Sequence, residues 1–144
     1  MKVLCDTSVL VAALMQAHPA HSRALAWLVR ARSGEIEVVI SAHSLAELYS
    51  VLTRIPLKPP IPPVEIWKLI EEGVLSHCIV VALEPAEYAS VLRRLSSEGI
   101  GGGPTYDALI AAVAQKSDVD QLVTLNVAHF VRVCSELAPI IMEP

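Results

Sequence analysis

Short β-branched runs alternate with longer helical ones along nearly the whole chain, and no other feature restricts the fold as much. Lys2-Val3-Leu4-Cys5 predicts a strand over 2–5, which passes without a loop into an apolar helix over 7–16 that His18-Pro19 breaks. A helix over 20–32, with Ala24, Leu25, Leu28 and Val29 on one face, ends at Gly34. A strand at 36–40 leads into a helix over 41–54 whose apolar stripe is Leu45, Leu48, Val51 and Leu52. The prolines of 56–63 exclude helix and inner strand, because proline lacks the donor and fixes φ. They are read as a stiff loop inside one domain, 1–144, since neither side alone supplies a complete sheet. A helix over 63–75, a strand over 78–83, a helix from Glu84 or Pro85 to Ser97, the flexible run Gly99–Pro104, a helix over 105–116, a strand over 121–124, a helix over 127–133 and a short strand within 139–142 complete the chain. Such alternation predicts an α/β layer fold around a mostly parallel central sheet of about four to five strands.

At 144 residues the chain suffices for one domain with a real core. Hydrophobic residues make up 53%, yet no run of about 18 residues escapes a charge or a breaker, so a membrane span is not expected. Asp6 interrupts what a signal peptide would need as its apolar region, and a cytoplasmic protein is expected. Cys5, Cys78 and Cys134 match no zinc spacing and read as small buried hydrophobes. The net charge of −4 argues against a generic nucleic-acid binder, which would be basic. Any action on RNA or DNA then needs a local basic patch, metal ions, or both.

Three acids share one placement. Asp6 follows the first strand; Glu47 lies in the first two turns of the helix after the second; Asp107 lies in the first turn after the glycine loop. Crossovers of one hand bring strand-to-helix junctions to the same edge of a parallel sheet, where ligands bind. Each acid also has a plain structural use. Asp6 suits an N-cap, Ser44 with Glu47 spells a capping box, and Asp107 complements a helix dipole. A protein whose acids only cap helices would keep them far apart. Converged, they repel one another unless a cation neutralises them, and oxygen ligands select hard ions, Mg²⁺ or Mn²⁺. Such an ion lets an acidic protein engage a phosphodiester.

Four stretches carry a resemblance: Asp6-Thr7-Ser8-Val9-Leu10-Val11, Ser44 to Arg54, Tyr106-Asp107-Ala108-Leu109-Ile110-Ala111-Ala112, and Leu122 to Phe130. In this order they resemble the four motifs of the PIN domain, and most of all the small VapC-type toxin ribonucleases of toxin–antitoxin pairs. The resemblance implies a single PIN-like three-layer α/β/α domain and a Mg²⁺-dependent endoribonuclease, the toxin of a type II pair. It implies Asp6, Asp107 and Glu47 as metal ligands, Glu47 alternatively as a water-orienting base, and Asn126 as a support for bound water. Asn126 stands near a position where members often carry a further Asp, and it brings no charge, so the number of ions stays open. RNA, a cognate antitoxin and a second copy in a homodimer are the implied partners. The alternative is a catalytically weak or inactive PIN-like module that binds RNA or a protein partner.

Thr7, Ser8 and Thr124 match small hydroxyl positions, with capping and turn formation as their other use. His18 and His21 read as a solvated helix start, and His129-Phe130 as the piece that tucks the last helix onto the core. The glycine run lacks the Lys-Ser/Thr ending of a phosphate-binding loop and reads as a mobile rim of the cleft. Trp27 and Trp67 read as core residues. Which arginines meet RNA stays open.

Overall fold

The computed structural model describes residues 1–144. Five strands, β1 (Lys2–Cys5), β2 (Glu37–Ser41), β3 (Cys78–Val81), β4 (Gln121–Val123) and β5 (Ile141–Met142), form one sheet in the order β3-β2-β1-β4-β5. Every neighbouring pair is parallel. Leu4 of the central β1 pairs with Val39 on one side and Leu122 on the other. Parallel neighbours need long crossovers, and helices supply them: α1 (Thr7–Leu14), α2 (His21–Arg32), α3 (Ala42–Thr53), α4 (Pro63–Ile70), α5 (Pro85–Ser97), α6 (Pro104–Lys116) and α7 (Val127–Val133).

Strand periodicity divides the core into two. Val3, Cys5, Val38, Ile40 and Val123 face a layer built from α1 to α4. Leu4, Val39 and Leu122 face a layer built from α5, α6 and α7. The three-layer α/β/α arrangement follows directly, and burial on both faces explains why the strands read as continuous apolar runs. α6 buries Ala108, Ala111 and Ala114, small side chains that let it lie close to the sheet. The chain builds outward from β1 to β3, then returns to β4 on the other side of β1. That reversal makes the carboxyl ends of β1 and β4 a topological switch point, where open α/β sheets leave a crevice.

Several local expectations need correction. The helix expected over 63–75 is α-helical only to Ile70 and continues as a π-turn, Glu71–Leu75, closed by the Ser76 N–H donating to the Glu71 carbonyl at 3.1 Å. A Cβ at Gly73 in that turn would lie 2.9 Å from Leu14 Cδ2, so the turn packs close against α1. The third strand stops at Val81, before the approach to Pro85, and Pro139 sits in a 3₁₀ turn, Ser135–Ile140, leaving only Ile141–Met142 to pair. On α2 the buried face is Ala24, Trp27, Leu28 and Ala31, and Val29 is exposed. Trp27 is a core residue as expected, but Trp67 is 43% exposed on α4. No helix is long and apolar enough to cross a membrane.

Phe130 is fully buried and anchors the short α7 to the sheet. Replacing it with Ala leaves a cavity, so Phe130→Ala is expected to lose about 3–5 kcal/mol of stability. The urea midpoint, at unchanged m-value, measures it.

Candidate functional site

The site grows out of the end of β1. Asp6 N–H still donates to the Val123 carbonyl at 3.0 Å, continuing the ladder, and the backbone then turns into α1 with Asp6 as N-cap. Asp6 Oδ1 accepts from the Thr7 N–H at 2.6 Å. Oδ2 accepts from the hydroxyls of Ser8 at 2.7 Å and Thr124 at 2.9 Å. Each hydroxyl also accepts a backbone N–H from the loop after β4: Leu125 donates to Ser8 Oγ and Asn126 to Thr124 Oγ1, both at 3.0 Å. Asp6 is thus tied to its own helix and to the loop beyond β4. It is 4% exposed. Burial pushes its carboxyl above the usual range, and the bonds from Ser8, Thr124 and Thr7 oppose that rise.

Glu47 reaches the same place from α3. The Thr7 hydroxyl donates to Glu47 Oε2 at 2.8 Å. The capping box expected from Ser44 and Glu47 does not form. α3 begins one turn earlier, and Ser41 is its N-cap, accepting from the His43 N–H at 3.2 Å. Ser44 turns into the core, and its buried hydroxyl has no partner. That leaves the Glu47 carboxylate free of capping and directed to Thr7.

Asp107 arrives from the first turn of α6. Burial, then the charge of Asp6 and, more weakly, that of Glu47 push its carboxyl up to about 6, while His129 opposes the rise. His129 Nδ1 stands 4.0 Å from Asp107 Oδ2. Asp6, Glu47 and Asp107 line one open cleft of about 460 Å³, together with Ser8, Leu125 and Asn126. The convergence expected from the sequence therefore holds, and an arrangement in which the acids only cap distant helices does not. The acids do not form a closed cage: no three His, Cys, Asp or Glu side chains already stand at chelating distance from one another. The three carboxylates in this open cleft offer oxygen donors, which suit a hard ion that keeps several of its own waters.

The hydroxyls do more than cap. Thr7 holds Glu47, and Ser8 and Thr124 hold Asp6. Sequence reasoning missed two features. His18 lines the cleft, while its Nδ1 accepts from the Ala20 N–H at 3.1 Å. His43 lies with Nε2 3.6 Å from Glu47 Oε2, and its ring stacks on Tyr106, centroids 4.7 Å apart and planes within 3°. The second contact joins α3 to α6, residues far apart in sequence, and no local pattern announces it.

The PIN-domain family model matches residues 3–135. Ribonuclease VapC40 of Mycobacterium tuberculosis is 36% identical over 110 residues, 76% of each chain. Ribonuclease VapC27 of the same organism is 33% identical over 109 residues, 76% of this chain and 74% of that one. Among solved structures, VapBC2 of Rickettsia felis bound to a promoter DNA fragment superposes with a TM-score of 0.68 at 20% identity, covering 100% of this chain and 99% of that one.

The raised carboxyl of Asp107 fixes the sign of a pH effect. Folded, it titrates near 6 instead of the ordinary 3.8, so between those values the folded state holds a proton that the unfolded chain has released. Stability therefore falls as pH rises from about 4 to 6, and the penalty is complete above that. Solvent screening reduces it to about 1–2 kcal/mol. Asp107→Asn is expected to gain about that much stability at pH 7.5 and to flatten the decline, read by urea melts in EDTA at pH 5 and 7.5.

Proposed function

Because this chain belongs to the PIN-domain family, we propose that it is an endoribonuclease, the toxin of a type II toxin–antitoxin pair, and that it works with Mg²⁺ or Mn²⁺. The observation that carries the reading is the convergence of Asp6, Glu47 and Asp107 in one cleft, where Asp107 pays for its position in raised affinity for a proton. A group that binds H⁺ too readily because of its neighbours' charges is a group that a cation relieves. The three proposed ligands are carboxylates, and their oxygen donors suit Mg²⁺.

Asp6 and Asp107 are the proposed ligands, with Glu47 as a further ligand or as the base that orients water. When bound, the divalent ion neutralises phosphate charge and activates water for in-line attack. The protein's own groups prepare that event. Ser8, Thr124 and the Thr7 N–H fix the Asp6 carboxylate in one orientation. The Thr7 hydroxyl fixes Glu47, so the side chain assigned to water is held from the same helix turn that Asp6 caps. Asn126, the N-cap residue of α7, makes no capping bond with its side chain and lines the cleft. Its amide is the proposed support for an ordered water. RNA is the substrate, and an antitoxin and a second copy of the chain are the proposed protein partners, in the cytoplasm.

A non-cutting module that binds RNA or a protein is the second reading, favoured by Asn126 in place of a fourth acid and by the absence of a ready ligand cage. Two measurements separate the readings. Mn²⁺ at about 100 times its dissociation constant is expected to add about 2.7 kcal/mol of stability to the wild type, and far less to Asp107→Asn. Asp6→Asn is expected to cut structured RNA at least about 10²-fold more slowly in Mg²⁺. Wild-type cleavage by that variant, or no cleavage and no Mn²⁺ shift in the native protein, would remove the enzyme reading.

A further inference from the structure

The acidic cleft does not explain how the chain holds a polyanion, since one bound cation cannot fix a strand's direction. Two hollows adjoin it. One, of about 400 Å³, is lined by Gly103, Pro104, Asp107, His129 and Arg132, and it shares Asp107 with the cleft. The other, of about 310 Å³, is lined by Val51, Arg54, Ile55 and Pro56, and it shares Val51 with the cleft. The hollows share no residue, so they open at different margins of the cleft.

Each holds one uncommitted guanidinium. Arg23, Arg30 and Arg94 are bound to Glu143, Glu35 and Glu98 respectively. Lys2 and Lys116 pair with Glu37 and Glu87. Neither Arg132 nor Arg54 belongs to any ion pair, and both are exposed. Arg32, Lys58, Lys68 and Arg93 are unpaired too, but they line neither hollow. In a chain of net charge −4, these two arginines line hollows that meet the acidic cleft, Arg132 through Asp107 and Arg54 through Val51. Arg presents a planar fork of donors that matches phosphate, and it stays charged at any working pH.

We infer that Arg132 and Arg54 hold the backbone phosphates that flank the bond placed in the cleft, so that single-stranded RNA enters over Asp107 from the α7 side and leaves past Val51. The inference rests on the ribonuclease reading, but its test reads binding, and cleavage by the wild type serves only to tell the two failures apart. His129 takes a different part: it stands against Asp107 and moderates that charge, leaving Arg132 to the strand. α7 is pinned by the buried Phe130, which fixes the base from which Arg132 projects.

The probe is a fluorescent, mixed-sequence, single-stranded oligoribonucleotide, followed by anisotropy with Ca²⁺ in place of Mg²⁺ and checked intact on a gel. Arg132→Ala and Arg54→Ala are each expected to weaken binding about tenfold. Each is expected to reduce the slope of log K against log salt by about 0.7, the value for one phosphate on a single strand, and the double variant by about twice that. Lys at either position keeps the slope, and Arg93→Ala leaves affinity and slope unchanged. Both arginines are surface residues whose side chains make no hydrogen bond or ion pair, and an unchanged melting temperature confirms that each variant folds. Wild-type affinity and slope in both variants, an equal loss in Arg93→Ala, or no binding by the wild type overturns the track. Normal RNA cleavage by the wild type alongside normal binding by the arginine variants removes the track alone and leaves the ribonuclease reading standing.

Discussion

A carboxylate buried at the end of the central strand is the constraint on which the rest of this molecule depends. Burial alone drives Asp6 towards its protonated form. The fold answers with two backbone N–H groups and two hydroxyls, drawn from α1 and from the residue that follows β4. Those donors converge because β1 and β4 are neighbours in a parallel sheet, with Cys5 paired to Val123 immediately before the chain turns. The sheet register and the charge at the site are thus one problem with one solution. Moving β4 by a residue would remove Thr124 from Asp6 and turn its apolar side chains to the wrong faces.

The acids bring a second tension. Glu47 is held by Thr7 and Asp107 is flanked by His129, yet Asp107 still lies well above an ordinary carboxylate. A protein selected only for stability would separate such charges, because like charges in a partly desolvated cleft weaken the fold. Their convergence at a topological switch point supports the proposed cation and phosphodiester site.

Much of this was legible in the sequence because its signals are local. Lys2–Val11 reads as strand, cap and helix without help from elsewhere, and the period of two in Val3-Leu4-Cys5 and Val38-Val39-Ile40 foretells two opposite cores. Asp6 and Glu47 come to one edge because they follow the ends of β1 and β2, whereas Asp107, which follows α5 and the glycine run, reaches that edge because α6 leads back to the start of β4. What escaped was set by neighbours in space. The start of the helix near 41 was legible, but Ser44 satisfies the capping pattern without capping, because Ser41 at the end of the strand is the N-cap and packing carries Ser44 inward. Trp67 lies on a short helix whose buried positions are Ile66 and Ile70, so the ring between them is turned outward. The π-turn that follows reflects the close pass of Gly73 and Leu14, which no periodicity in 63–75 encodes.

The hydroxyls of Ser8 and Thr124 each own a single proton, and Asp6 takes both. Their oxygens in turn hold the amides of Leu125 and Asn126, the two residues from which α7 departs. Asp6 thus sets the direction in which both hydroxyl protons point, and so which lone pairs face the loop amides. One hydrogen-bond network therefore joins the buried carboxylate to the start of the helix that carries His129 and Arg132.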